Sequence, residues 1–270
     1  MISMKTSHEK LIVTATSANA WIYPEAKNYP KTPEEIIENA IKCYETGASI
    51  AHIHLPKNNI KKIVNSIRDQ CDIIIQGGMS SDPINKRKEL FDAKPDMVSI
   101  ILNHHDECFK EVEVNRLHPR QELEDYCRLC KKTKIKPEFE VWHHGSIWNL
   151  NHLVAKKLLD KPYFLTLFLG WPGGTWSPPT SDEFFHRIKY LPIDSVCSVS
   201  VMGPDQEVIL PLAIMHGKHV RVGTEDYPYI KKGVLAKDSS ELVKKIVQLS
   251  KEKGREIADP SEARKIIGIK

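Results

Sequence analysis

The stretch HVRVGTEDYPY (219–229) decides how the chain folds. A short strand-forming run, HVRV, meets a glycine and then two adjacent carboxylates, Glu225 and Asp226. It closes a series of eight such runs: KLIVTAT (10–16), SIAHIHL (49–55), DIIIQ (72–76), DMVSIIL (96–102), PEFEVW (137–142), YFLTLFL (163–169), SVCSVSV (195–201) and HVRV (219–222). Each run is followed by a helical pattern. In KTPEEIIENAIKCYETG (31–47), Thr32 caps the helix, Pro33 takes the first helical position, Glu35 closes a capping box and Gly47 ends it. Further helices are expected at 58–70, 83–92, 121–133, 147–159 and 240–253, and over SDEFFHRIKYL and VILPLAIMHG. Eight consecutive βα units predict a (β/α)8 TIM barrel, with residues 1–270 as a single domain. An open doubly wound sheet is the weaker fit, because no run leads through GxGxxG into a helix.

Composition excludes several function classes. Apolar residues make up 41% and charged residues 27% of 270, which suits a globular chain with a sizeable core. The net charge of +4 is spread over helix faces, not massed in a basic arm, so no nucleic acid is expected. The N-terminal residues carry no apolar leader, and the longest apolar run is about half a membrane span, so the expectation is a cytoplasmic protein with no membrane partner. Six scattered cysteines, at 43, 71, 108, 127, 130 and 197, form no disulfide framework. Cys127 and Cys130 have CxxC spacing but no second pair, and read as half-buried thiols.

In a barrel of this kind the chemistry sits where the strands end. AHIHL ends the second strand, and residues two apart share a face, so His52 and His54 project together and can share one metal ion. A third ligand must come from elsewhere on the rim, and Glu225, leaving the eighth strand, can supply it. With Val220 and Val222 facing the helices, Arg221 points into the barrel, where it would hold Asp226 ionised. The spacing alone leaves a surface ion pair open. Gly77 and Gly78 follow the third strand, where their N–H groups could approach an anion, and a plain tight turn is the alternative. His143 ends the fifth.

The sequence resembles the β-keto acid cleavage enzymes nearly end to end. The likeness is carried in order by LIVTA, TPEEIIENAIKCYETGASIAHIHL, KPDMVSI, PEFEVW, LGWPGGT, HVRVGTEDYPY, KGVLAKDSSELVKKI and GREIADPSEARKIIG. The resemblance implies that His52, His54 and Glu225 hold a divalent metal, usually Zn2+, that Asp226 is the general base, and that Arg221 is its partner. It further implies condensation of a β-keto acid with acetyl-CoA, release of acetoacetate and a new acyl-CoA, and a homo-oligomer. The same ligands would also suit a metal-dependent aldolase or hydrolase that uses no CoA. A catalytically lapsed barrel that only binds a metabolite is a third reading.

The sequence departs from the family pattern at several rims. LPKN follows the histidine pair where many members have Arg-Asp. Ile75-Gln76 replaces a Ser-Thr pair, so the substrate carboxylate contact is either missing or supplied by Ser80 or Ser81, and Ser99 stands for a threonine. Where the 3-keto-5-aminohexanoate cleavage enzyme of this family has acids in the first and fifth rim loops, this chain has Ala20-Trp21 and His143. Trp21, Gly77, Gly78, Ser80, Ser99 and His143 are thus the expected substrate contacts. Rim loops without acids predict a preference for β-keto acids with a neutral, apolar or anionic tail; the alternative is that another acid, such as Glu140 or Asp205, reaches the pocket.

Overall fold

The computed structural model describes residues 9–106, 113 and 115–269. Eight parallel strands close a barrel in chain order: β1 (Val13–Thr16), β2 (Ile50–Ile53), β3 (Ile74–Gly77), β4 (Met97–Ile101), β5 (Lys136–Val141), β6 (Tyr163–Leu169), β7 (Ser195–Val201) and β8 (His219–Gly223). β8 pairs with β1, Arg221 beside Thr14, and this pairing completes the closure that eight units require. Around the barrel run α1 (Pro33–Glu45), α2 (Ile60–Arg68), α3 (Lys88–Ala93), α4 (Arg120–Thr133), α5 (His144–Ala155), α6 (Ser181–Lys189), α7 (Gln206–Met215) and α8 (Ser239–Glu252). The expected capping box is present on α1: Thr32 accepts from the Glu35 N–H, and the Glu35 side chain accepts from the Thr32 N–H.

Alternation along the strands sorts the side chains into two cores. Val13, Ala51, Ile53, Ile75, Phe139 and Val220 face the helices. The inward faces are layered along the barrel axis. Ile12, Ile50, Ile74, Met97 and Phe164 form an apolar floor, covered by a further helix, α9 (Pro260–Ile267), through Ala263 and Ile267. Above it come buried polar groups, among them Thr14, Gln76, Ser99, Glu138, Thr166 and Ser198. At the strand C-termini, Ile101, Trp142, Phe168, Trp171 and Met202 pack together, with Trp142 stacked on Phe168 at 4.0 Å.

Some elements differ from expectation. The helix expected at 83–92 is a 3-10 turn (Ile84–Arg87) followed by α3, and the break falls at Arg87 (φ −100°, ψ 12°), whose side chain turns inward. There its guanidinium donates to the carbonyls of Ser99 (2.7 Å) and Gly78 (3.0 Å). α5 begins three residues early, because the His143 Nδ1 accepts from the Gly145 N–H and caps it. The loop after β4 carries a hairpin, His104–Asp106 with Asn115–Leu117, and another pairs Tyr229–Lys231 with Val234–Leu235. Cys127 and Cys130 are buried on α4, and burial pushes the Cys127 thiol up to about 12; Cys108 lies outside the described residues. No helix among the described residues is long and apolar enough to cross a membrane.

The upper rim is pinned by a second inward arginine. Arg187 of α6 is fully buried and donates to the carbonyls of Phe168 (2.7 Å) and Val141 and to the Ser177 hydroxyl (3.1 Å), so one guanidinium fixes the ends of β5 and β6. An Arg187→Met substitution keeps the apolar stem and strands those acceptors. Urea unfolding is expected to show a loss of about 3 kcal/mol; a change within experimental error would remove Arg187 as the rim clamp.

Candidate active site

The ends of β2, β3, β6 and β8 converge on one small pocket. His52 is the last inward residue of β2, and His54 follows just beyond the strand. Their Nε2 atoms lie 3.6 and 3.2 Å from the two carboxylate oxygens of Glu225, and the donor atoms of the three residues fall within 4.8 Å of one another. This is the only such cluster among the described residues. The donor set fits a divalent cation on two counts. Glu225 Oε2 is buried with no hydrogen-bond partner, and the His52 Nδ1 is engaged by Gln76 Oε1 at 2.7 Å, which leaves Nε2 as the lone-pair nitrogen. Two imidazoles and a carboxylate suit zinc, with room for a substrate oxygen as a further ligand.

Charges in this pocket are set by burial and close pairing. Burial drives His52 down to about 3, with Arg221 adding to the effect, so its ring is neutral as a ligand must be. Burial also pulls on His54, but Glu225 outweighs it and raises His54. Burial opposes the charge on Glu225, yet His54, Arg221 and His52 together hold its carboxyl well below the usual range.

The inward orientation expected of Arg221 is observed. Its Nε and Nη2 donate to Asp226 at 3.0 and 2.9 Å, Nη2 also lies 3.2 Å from Glu225 Oε1, and the guanidinium sits over the Phe168 ring at 4.9 Å. The Ser200 hydroxyl donates to Asp226 Oδ2 at 2.6 Å. Burial raises Asp226 in spite of Arg221. Arg221 lines the pocket and Asp226 does not, while the buried Arg221 Nη1 has no partner.

Other expected contacts are distributed differently. Trp21 and Ser80 line the pocket, where Ser80 favours the ionised form of Glu140. Ser99 lies beneath it, its hydroxyl 3.4 Å from His52 Nδ1. The glycine pair is not an anion turn: the Gly78 N–H is committed to the Ile53 carbonyl at 2.9 Å. What Gly78 provides is room, since a Cβ there would collide with the His54 ring and lie 2.9 Å from His52 Nε2. At Gly77 a Cβ would strike Leu90. His143 is the α5 cap and does not line the pocket.

Glu140, one turn of alternation above Glu138 on β5, does reach the pocket, as the alternative expectation has it. It accepts from Trp142 Nε1 at 2.9 Å. Burial raises both acids, Glu138 to about 7 with Glu140 contributing. Period-two alternation in PEFEVW, which sends Phe139 and Val141 to the helices, was the available signal for both. Gln76 and Ser200 were missed too, because their partners lie on other strands.

The family profile described as "beta-keto acid cleavage enzyme" matches residues 10–269. The chain belongs to that family. A 3-keto-5-aminohexanoate cleavage enzyme of Acetoanaerobium sticklandii is 36% identical to this family member over 275 residues, 97% of this chain and 99% of the relative. A 3,5-dioxohexanoate:acetyl-CoA acetone transferase of Paraburkholderia graminis is 26% identical over 304 residues, 97% of this chain and 96% of that one. Among solved structures, a ternary complex of ObcA with a C4-CoA adduct and oxalate superposes with a TM-score of 0.73 at 17% identity, covering 90% of this chain and 68% of that chain. At that identity the likeness is one of fold.

The donor geometry yields a metal-binding prediction. His52→Ala and Glu225→Gln each remove one donor of the candidate cluster and should abolish stoichiometric zinc uptake. Gln76→Leu should leave the fold intact yet weaken zinc about 10- to 100-fold, because it removes the acceptor that orients His52. Competition with a chromogenic chelator measures all three, and unaltered affinity in Gln76→Leu would contradict the orienting role.

Proposed function

We propose that this protein is a zinc-dependent acyltransferase that exchanges acyl groups between a β-keto acid and acetyl-CoA, releasing acetoacetate and a new acyl-CoA. The observation that carries the reading is the His52–His54–Glu225 cluster beside the pocket-lining Arg221, whose buried Nη1 has no partner. Family membership and the names of the two relatives support the same reaction class. Five described cysteines are free, which suits the reducing cytoplasm, where acetyl-CoA is available.

His52, His54 and Glu225 would hold the cation, which when bound supplies Lewis acidity toward a keto oxygen and so eases loss of the neighbouring C2 proton. Arg221 is placed to take the substrate carboxylate on its free Nη1. A carboxylate bound there draws the guanidinium from Asp226, and a buried carboxylate relieved of its cation is a stronger base. Asp226 then removes the C2 proton. The resulting carbanion attacks the thioester carbonyl of acetyl-CoA, a C–C bond forms, and CoA thiolate leaves. The thiolate adds to the original keto carbon, the bond from that carbon to C2 breaks, and acetoacetate departs after C2 recovers the proton from Asp226. Atoms balance with one acyl exchange, and no side chain becomes acylated.

A second assignment of the base has its own support, since Glu140 lines the pocket and Asp226 does not. Asp226→Asn is expected to retain zinc and lose about 10²–10⁴ in kcat, with Glu140→Gln affected less. The reverse order would move the base to Glu140. A panel of 3-keto-5-aminohexanoate, 3-oxohexanoate and 3-oxoadipate, each assayed with and without acetyl-CoA, tests the reaction itself. Acetoacetate formation should require acetyl-CoA, whereas C–C cleavage without any thioester would favour an aldolase-type lyase. Glu140 lines the pocket as a counter-charge for an ammonium tail, so a preference for the amino substrate that is lost in Glu140→Gln would assign the tail contact.

A further inference from the structure

The pocket around His54 holds only about 190 Å³, room for a short keto acid and little else. It does not end there. Trp21, His54, Met79 and Asp82 also line an adjoining cleft of about 980 Å³, which runs between the loops that leave β1, β2 and β3. A cleft five times larger than the reaction pocket, and sharing its wall, is proportioned for a long second molecule.

The lining of the cleft has two chemical characters. Leu55, Pro56, Ile60 and Leu90 offer an apolar wall, and Ile60 and Leu90 are otherwise buried. Lys31, Lys57, Lys86 and Lys88 bring four exposed ammonium groups to its edges from three separate loops. Among the described residues none of the four lies within 4.0 Å of a carboxylate. Other rim lysines are paired, as Lys62 with Glu34 at 2.9 Å. Three acids, Asp82, Glu89 and Asp92, share the lining with the four lysines, and Glu89 is turned to the Asn58 N–H at 2.9 Å. Arg87 is also absent from the charged edge, since its guanidinium is buried on main-chain carbonyls.

We propose that this cleft takes the CoA portion of acetyl-CoA, an inference that rests on the acyl-exchange reading above. The phosphates lie among Lys31, Lys57, Lys86 and Lys88, the uncharged pantetheine arm follows Leu55, Pro56 and Ile60, and the thioester enters the reaction pocket between Trp21 and Met79. A thin molecule with a polyanionic head and a neutral arm matches both characters of the lining. The alternative of a free small anion uses the lysines but leaves the apolar wall and the opening onto His54 unexplained.

The test is calorimetric titration of zinc-loaded protein with CoA, 3′-dephospho-CoA, pantetheine and inorganic phosphate, alongside steady-state kinetics. In Lys86→Ala/Lys88→Ala, CoA should bind about tenfold more weakly than in the wild type while pantetheine binding stays unchanged. The KM for acetyl-CoA should rise by the same factor, with kcat and the KM for the keto acid unaltered. Lys57→Ala should act in the same direction, and Lys132→Ala, on the outer face of α4, should do nothing. Wild-type protein that binds CoA and turns over, with no loss in any cleft-lysine variant, would overturn the cleft and leave the reaction standing. Equal weakening of pantetheine would remove the lysines as phosphate contacts. Wild-type protein that binds no CoA would overturn the cleft and the acyl-exchange reading together, and binding of inorganic phosphate as tight as CoA would reassign the cleft to a small anion.

Discussion

One buried guanidinium holds the site in order. Arg221 is 2% exposed and contacts two carboxylates that are adjacent in sequence, Glu225 and Asp226. Two neighbouring acids in a low-dielectric interior repel, and one would neutralise if nothing stood between them. The cation removes that repulsion, and its own burial is in turn compensated by both acids and by the face of Phe168. With the pair stabilised, Glu225 can turn toward His52 and His54 while Asp226 turns toward Ser200. The two adjacent acids of GTEDYPY therefore face different partners, the histidine pair on one side and Ser200 on the other, and are coupled through one guanidinium.

The barrel was legible because its signal is repeated and local. Eight alternating runs, each meeting a helical pattern, need no knowledge of which strand lies beside which, and β6 and β7 were bounded correctly from their own residues. The histidine pair and Arg221 were legible for the same reason: facing follows from period two within one strand. What escaped depends on stagger between strands. Gln76 reaches His52 because β2 and β3 place these residues side by side, and Ser200 reaches Asp226 across the β7–β8 step. Neither follows from spacing along the chain. Gly78 and His143 were misread because the destination of an N–H group was not accounted for: one is bonded within the sheet, and the other histidine caps a helix. Glu140 was legible by alternation within PEFEVW, and of the two acids named as alternatives it reaches the pocket while Asp205 does not.

The interior also separates stability from chemistry along its axis. The floor is hydrocarbon, the middle holds hydroxyls, an amide and Glu138, and the top holds the ionic cluster beneath an aromatic collar. This order makes the middle layer a polar support, in which Gln76 and Ser99 approach the far side of His52. On the third strand Ile75 faces the helices, while the Gln76 amide holds the His52 ring from behind. Changes on the third strand can therefore alter how firmly the first ligand is held without altering the pocket wall.

The apolar floor has a temporal side. Ile12, Ile50, Ile74, Met97 and Phe164 come from five widely spaced points in the chain, yet the segment that covers them is α9, joined by the Leu11–Ile257 bridge and the Lys10–Glu262 ion pair. During synthesis the strands that build this floor leave the ribosome long before residues 260–267 do, so a nearly complete cylinder stands open at one end with its hydrocarbon facing water. Until the lid arrives, that end offers a sticky surface to other nascent chains. How long that hydrocarbon stays uncovered is set by how soon α9 docks.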